Sequence, residues 1–389
     1  MKQSSSLLLL LLLPFITFGQ AFLSNPLEGI QGQDFIIVNY VDWGFNSTID
    51  HNCGSKTYDG HQGTDFVLRS FKQMDSGVFV LAAANGRVTF AVDTNFDREK
   101  VSVISKGLGN YVCIQHPNKY YTYYAHLKKA SLLVQEGDSV VTGQRIAQIA
   151  SSGNSSDPHL HMEVWYDSSF VVDPFNGSCG NNTTLWKNPY KYDSSFKIWD
   201  YGMHNKVIDI NSLREREISI AAPYDFDIEK DTTLVLWSHM YGLRKGDSLK
   251  VSWINPKNEI HFTYTFPIEQ DWWYYYFWSN IDSTNLSEGD WSVQLSLNGK
   301  QIIKQNFKVT NKNISIKDLK LPTECNLQGA NLFKLIDLHP SKNISLYDQK
   351  GSKIPLSNKT NIDLSILPKG IYYIIVQDNN SRCFVKVAI

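Results

Sequence analysis

The sequence predicts an all-β chain: an antiparallel β region, then an immunoglobulin-like β-sandwich, then a small C-terminal β domain. Three observations carry this. Aromatic residues make up 13% of the 389, with 20 Tyr and 10 Trp, and these side chains favour pleated, half-buried surfaces. Apolar runs are short and separated by glycine turns. No long stretch keeps the 3.6-residue period of an amphipathic helix.

Residues 1–19 read as a secretory signal peptide, with Lys2 as the positive start, Leu7 to Leu13 as the apolar core, and Thr17 and Gly19 before the cut. That run is too short for the ~20 residues of a membrane span. No other segment approaches that length, so the mature chain is expected to be exported and without a stable membrane span.

The first domain is expected over 20–204. Its strands are Phe79–Leu81, Arg87–Val92, Val101–Ile104, Tyr111–Ile114 and Arg145–Ile149, with a further strand over Pro158–Trp165. Tyr120, Tyr121, Tyr123 and Tyr124 are expected mainly as strand packing, with substrate contact as the weaker alternative. Export permits disulfides. A clasp between Cys53 and Cys179 fits their positions on either side of this region, Cys325 and Cys383 could pair in the last domain, and Cys113 reads as a buried free thiol.

The β-sandwich is expected over 205–311, with strands at Leu234–Trp237, Ser248–Trp253, Trp272–Trp278 and Trp291–Leu297. Asn298-Gly299 is a hairpin signal. The Trp272–Trp278 aromatics are expected as core and sheet edge, with glycan stacking as the alternative. A last β unit occupies 315–389. The formal net charge of −1 and pI near 6.8 give no electrostatic footprint for nucleic acid.

The chemistry-bearing residues cluster in the first domain. His61-Gln-Gly-Thr-Asp65, Tyr124-Ala-His126-Leu127 and His159-Leu-His161 offer two imidazoles and one carboxylate to a metal, plus two further imidazoles for proton handling. That is the donor set of a catalytic zinc site with one open position. His159 and His161 are two apart and share a face if the segment is a strand, while Leu160, Met162 and Val164 point the other way. Gly63 allows a local bend between His61 and Asp65. Each spacing alone is common. Glu163 shares the parity of His161 and could orient its imidazole, or be a solvated salt-bridge residue.

In order along residues 59–175 stand His61-Gln-Gly-Thr-Asp65-Phe, Ala84-Asn-Gly86-Arg-Val88, Gly107-Leu-Gly-Asn-Tyr-Val112 and Tyr123-Tyr-Ala-His126-Leu127. Val134-Gln-Glu-Gly137-Asp-Ser-Val140-Val-Thr-Gly143-Gln144 and Ser152-Gly153-Asn-Ser-Ser-Asp-Pro-His159-Leu-His161 follow. This series resembles the lysostaphin-type, LytM-like zinc endopeptidases of peptidoglycan. The resemblance implies a catalytic domain over 20–204 in which His61, Asp65 and His161 hold Zn2+, and His126 and His159 flank the reacting water. Its implied substrate is a peptidoglycan peptide cross-link. Two departures are small: Ser152-Gly153 stands where the family has Thr-Gly, and Asp157-Pro158 where it tends to have Gly-Pro. Neither removes a ligand.

The end of the chain, Ile344–Gly351, Ile362–Ile374 and Cys383–Val387, resembles the C-terminal sorting domain of type IX secretion, although the usual Pro-Asn-Pro opening is absent. That implies the type IX secretion machinery as a partner and a secreted or cell-surface protein of a Gram-negative bacterium. The expected function is a secreted zinc metalloendopeptidase acting on peptidoglycan. The alternatives are a non-catalytic wall-binding activator of other hydrolases and a secreted peptidase of protein substrates. An N-terminal segment within 20–58 could also cover the site, with His51 or Asn46 as a temporary ligand.

Overall fold

A computed structural model describes residues 21–44, 47–216, 224–228, 230–310, 343–355, 367–368, 370–377 and 382–388. The chain divides into two compact units, one of 1–226 with 231–308 and the other of 227–230 with 309–389. The signal reading at 1–19 and residues Asn46 and Cys325 lie outside the described residues, as does the Cys383 side chain.

The first unit begins with β1 (Ile36–Asn39), β2 (Gly63–Val67), β3 (Phe79–Leu81), β4 (Gly86–Val92), β5 (Tyr111–Gln115) and β6 (Tyr120–Ala125). It continues with β7 (Ser139–Val140), β8 (Arg145–Gln148), β9 (His159–Tyr166) and β10 (Phe170–Val171). An eight-stranded sheet runs β1-β2-β9-β6-β5-β4-β7, with β10 paired to β9 and a separate β3-β8 pair. Every pairing in that sheet is antiparallel. Among the described residues the α-helices are short: α1 (Phe71–Asp75) and α2 (Ile210–Glu215).

Alternation on β9 does what its spelling requires. Leu160, Met162 and Val164 enter the main core beside Tyr124, Val112 and Ile146, leaving His159, His161 and Glu163 on the opposite face. The tyrosines of β6 divide the same way. Tyr124 is fully buried, its hydroxyl accepting from the Ala83 amide at 2.8 Å. Tyr123 lies opposite Glu163 on the other face. Cys53 and Cys179 are disulfide-bonded, and Cys113 is free and buried.

One expected strand is absent. Val101–Ile104 is exposed and leads into a 3₁₀ turn over Ile104–Lys106. Its backbone closes on itself, Lys106 N–H donating to Val103 O and Gly107 N–H to Ile104 O, instead of joining a ladder. The β-branched residues give the segment strand character, but among the described residues it joins no ladder.

The middle region holds β11 (Lys197–His204), β12 (Asp225–Asp227), β13 (Thr233–Tyr241), β14 (Ser248–Ile254), β15 (Ile260–Pro267), β16 (Tyr275–Asp282), β17 (Gly289–Leu297) and β18 (Lys300–Thr310). These form sheets β11-β13-β16 and β12-β18-β17-β14-β15. The sheets are linked where Trp253 Nε1 donates to Ser279 Oγ at 3.0 Å. Asn298 and Gly299 both take positive φ, 50° and 80°, as a two-residue hairpin turn requires. Trp273 and Phe277 are buried while Trp272 and Trp278 are about a third exposed, and the strand begins at Tyr275 rather than Trp272. Residues 197–204, counted with the first domain from sequence, hydrogen-bond as β11 to β13 along seven opposed pairs. They therefore belong to the middle sheet.

The seam between the two sheet systems of this unit is densely built. Ile36, Val38 and Val67 of β1 and β2 pack with Trp199, Tyr241 and Trp273. Lys56 is fully buried there, its ammonium 4.9 Å from the Tyr40 ring, 5.1 Å from Tyr192, 5.1 Å from Tyr241 and 5.3 Å from Trp273. It donates to the Asp193 carbonyl at 3.1 Å and to the Tyr241 hydroxyl. Burial is the main force that lowers its pKa to about 7. Nearby, His239 is fully buried and stacked on Tyr276, its Nδ1 accepting from Arg216 at 2.9 Å.

The second unit carries β19 (Asn343–Asp348), β20 (Lys353–Ile354), β21 (Ile371–Gln377) and β22 (Arg382–Ala388) in the antiparallel order β20-β19-β21-β22. Leu346 and Ile374 are its buried centre.

Two outcomes follow from the seam. Lys56→Ala empties a four-ring cage and should cost about 2–4 kcal/mol in denaturant unfolding of the whole chain. Burial, then the Arg216 and Arg69 charges, holds His239 well below the usual histidine range. Below about pH 6.5 the unfolded chain therefore takes up a proton that the fold refuses. Stability should fall on acidification from there by up to ~1.4 kcal/mol per pH unit for this group. His239→Asn should shallow that slope by about one proton.

Candidate metal centre

The site is built on one cross-strand pair. Asp65 of β2 lies opposite His161 of β9, which sets both side chains on one face of the sheet. His61 enters from the turn before β2. His61 Nε2 is 3.2 Å from Asp65 Oδ1 and 3.2 Å from His161 Nδ1, and His161 Nδ1 is 2.8 Å from Asp65 Oδ1. All three residues are buried, at 3%, 4% and 6% exposure. Among the described residues this is the group with metal-holding geometry.

Outer partners decide which atoms are bare. His61 Nδ1 lies 2.6 Å from the Tyr40 carbonyl, which can only accept, so the proton sits on Nδ1 and Nε2 presents a lone pair. His161 Nε2 is 3.0 Å from Glu163 Oε1, which leaves Nδ1 to face inward. Glu163 is itself held by Trp165 Nε1 at 2.6 Å. Asn39 Nδ2 donates to Asp65 Oδ2 at 2.8 Å and leaves Oδ1 for the centre. Three acceptors thus converge in a buried space, an arrangement that costs free energy without a cation. Four-coordinate zinc with bonds of ~2.0–2.2 Å has ligand–ligand edges of about 3.3–3.6 Å, so a small opening of this triangle accommodates the ion. Burial opposes a charge on His161, yet its hydrogen bonds to Asp65 and Glu163 win and push it up to about 10. For Asp65 too, burial is outweighed by its histidine neighbours, which hold the carboxyl well below the usual range. A proton here takes the place that the donor set offers to a cation.

Gly63 makes the approach of β2 to β9 possible. A Cβ there would lie 2.7 Å from His161 Cε1 and 2.8 Å from its Nε2, closer than carbon atoms pack.

His126 and His159 stand beside these three side chains. Their rings are 4.6 Å apart, and the His126 ring is 5.6 Å from that of His161. His126 follows β6 with φ of 61°, a left-handed backbone unusual outside glycine. Its amide is tied to Leu108 O and its Nδ1 to Ser152 O at 2.7 Å. The loop of Ser152 sits that close because Gly109 and Gly153 cross: a Cβ on Gly153 would lie 2.4 Å from the Gly109 amide nitrogen. His159 Nδ1 is 2.8 Å from the Asp157 carbonyl, and its Nε2 is 3.7 Å from Asp65 Oδ1. Both histidines therefore carry the proton on Nδ1 and present a bare Nε2. Burial pushes His126 well below the usual range, with His159 and His161 adding to the effect, and burial also lowers His159. Both are neutral and able to accept a proton near pH 7.

All five residues expected from sequence meet in this place. His51 does not join them. It stacks on Phe175 at 5.1 Å, with Nδ1 3.6 Å from Asp173, inside an aromatic cluster. Asn39, the Tyr40 carbonyl and Trp165 went unnoticed in sequence, as did Tyr58, which is half exposed with its ring 4.4 Å from that of His61. Lone polar residues at such positions give no pattern to read.

Residues 59–174 match Peptidase family M23, and residues 330–389 match the secretion system C-terminal sorting domain. The chain thus carries an M23 peptidase domain and a C-terminal sorting domain. It is 38% identical over 103 residues to an uncharacterized metalloprotease of Haemophilus influenzae, covering 26% of this chain and 18% of that protein. It is 36% identical over 104 residues to the peptidoglycan DD-endopeptidase ShyA of Vibrio cholerae, covering 27% and 20% respectively. It is 30% identical over 129 residues to the murein hydrolase activator NlpD of Salmonella typhimurium, covering 33% and 29%. The chain therefore spans only about a fifth to three-tenths of these relatives' lengths. Among solved structures, the catalytic domain of lysostaphin from Staphylococcus simulans is similar at 23% identity and a TM-score of 0.24, over 35% of this chain and 85% of that one.

Gly63→Ala drives a methyl into the His161 ring and should weaken zinc binding at least tenfold. Competitive titration against a chromophoric chelator checks this.

Proposed function

We propose that the M23 peptidase domain of this chain is a zinc-dependent endopeptidase that hydrolyses peptide cross-links of bacterial peptidoglycan. The observation that carries the reading is the convergence of His61 Nε2, Asp65 Oδ1 and His161 Nδ1 on one buried point that a cation can share, beside two neutral imidazoles. Zinc bound there supplies Lewis acidity and lowers the pKa of water from ~15.7 toward ~7.

The chain's own residues supply the rest. Asn39, the Tyr40 carbonyl and Glu163 fix the ligand side chains, so little reorganisation is needed when the ion enters. Nε2 of His126 or His159 accepts the proton released as the scissile amide is attacked, and returns it to the departing amine. The partner imidazole can donate toward the oxygen that gains charge only in the form that has also taken up a proton on Nε2. Backbone carbonyls on Nδ1 of both rings stabilise the imidazolium that forms in passing.

The C-terminal sorting domain supports export to the cell surface or medium, with the type IX secretion machinery as the partner that recognises it. Relatives include both endopeptidases and a hydrolase activator. The complete five-residue set favours the enzyme over the non-catalytic reading.

The test is separation of muropeptides from purified sacculi treated with the whole zinc-loaded chain, with and without a chelator. Chelator-sensitive loss of cross-linked species is expected. His161→Ala should lose zinc and cleavage together, while His126→Ala or His159→Ala should keep zinc and lose about 10²–10⁴-fold in kcat. Retained cleavage by His161→Ala would overturn the assignment.

A further inference from the structure

The middle sandwich has no role legible in its sequence, yet it reaches the loop that positions His159. We propose that Arg214, with Tyr274 behind it, is a positioning element for that histidine, acting through Asp157. The inference rests on the reading of His159 as a reacting imidazole.

The chain of contacts is short. His159 Nδ1 donates to the backbone carbonyl of Asp157 at 2.8 Å. The orientation of that peptide therefore sets the ring. The Asp157 carboxylate is part-buried at the seam, with Ser156 Oγ donating to Oδ2 at 2.9 Å. Its Oδ1 forms an ion pair with Arg214 Nε at 3.0 Å, and the Tyr274 hydroxyl approaches the same oxygen at 3.4 Å. Pro158, whose carbonyl accepts from Leu68 N–H at 2.9 Å, pins the other side of the loop.

The gripping side is held by several contacts. Arg214 sits on α2, whose N-cap Asp209 accepts from Ser212 N–H at 2.7 Å. Arg214 Nη1 also donates to Lys100 O at 2.7 Å, and Glu215 pairs with Arg98 and Lys100. The Tyr274 hydroxyl lies 2.9 Å from that of Tyr276, and both rings pack on His239 with centroids 4.3 Å away. A part-buried carboxylate stripped of its cationic partner would turn toward water and carry its peptide with it. An aspartate two residues before His159, where a glycine could not be gripped, thus gives the sandwich a handle on the site.

The test uses the whole zinc-loaded chain and the variants Arg214→Met, Asp157→Asn, their combination, Arg214→Lys and Tyr274→Phe. Zinc content, kcat and KM on sacculus-derived peptides, and the ¹⁵N resonance of His159 Nδ1 are measured. Arg214→Met and Asp157→Asn should each lower kcat about tenfold or more, with KM and zinc content little changed. The double variant should be no worse than the poorer single one, Arg214→Lys should recover part of the loss, and the Nδ1 resonance should move in both single variants. Wild-type kcat and an unmoved resonance in folded, zinc-loaded variants would overturn the proposal. If Arg214→Met fails to fold, the isosteric Asp157→Asn and Tyr274→Phe decide by the same resonance. If the wild-type chain cuts no wall preparation, the peptidase reading falls, and the resonance alone still decides the positioning.

Discussion

The structure turns on the antiparallel register of β2 against β9. It sets Asp65 opposite His161, and a glycine two residues before Asp65 lets the strands close without a clash. A one-residue slip would send His161 into the core and Leu160 into the site, because strand side chains alternate. The core residues Leu160, Met162 and Val164 therefore hold the register on one face, and the candidate metal-holding side chains use it on the other. Packing and chemistry are two faces of one strand.

The same economy extends outward. The donors are oriented by groups from three directions: Asn39 on β1, the Tyr40 carbonyl just beyond it, and Glu163 further along β9. β1 also packs through Ile36 and Val38 against Trp199, Tyr241 and Trp273 of the middle region. A strand that braces the ligand set on one side is thus part of the seam on the other. With Lys56 enclosed by four rings at that seam, the M23 region and most of the sandwich form one compact unit rather than beads on a chain.

Much of the site was legible because its chemistry is local in sequence. His61 with Asp65, and His159 with His161, sit at spacings that a turn or strand converts directly into proximity. The parity of Glu163 with His161 was readable for the same reason, and the structure places it as the partner of that imidazole. What escaped notice depends on long-range pairing: Asn39 reaches Asp65 across 26 residues and Arg214 reaches Asp157 across 57. Neither leaves a pattern in one sequence. The error at Val101–Ile104 has another cause, since strand propensity states a preference and a sheet needs a partner. Residues 197–204 were misplaced because nothing in their spelling says which sheet they will join.

The most direct test of the central claim is zinc K-edge absorption of the whole chain loaded with one equivalent of metal. Two imidazole nitrogens and one carboxylate oxygen at ~2.0–2.2 Å, in a four-coordinate shell with one further light ligand, is the result this account requires. A shell containing sulfur, or one unchanged when His161 is replaced by Ala, would contradict it.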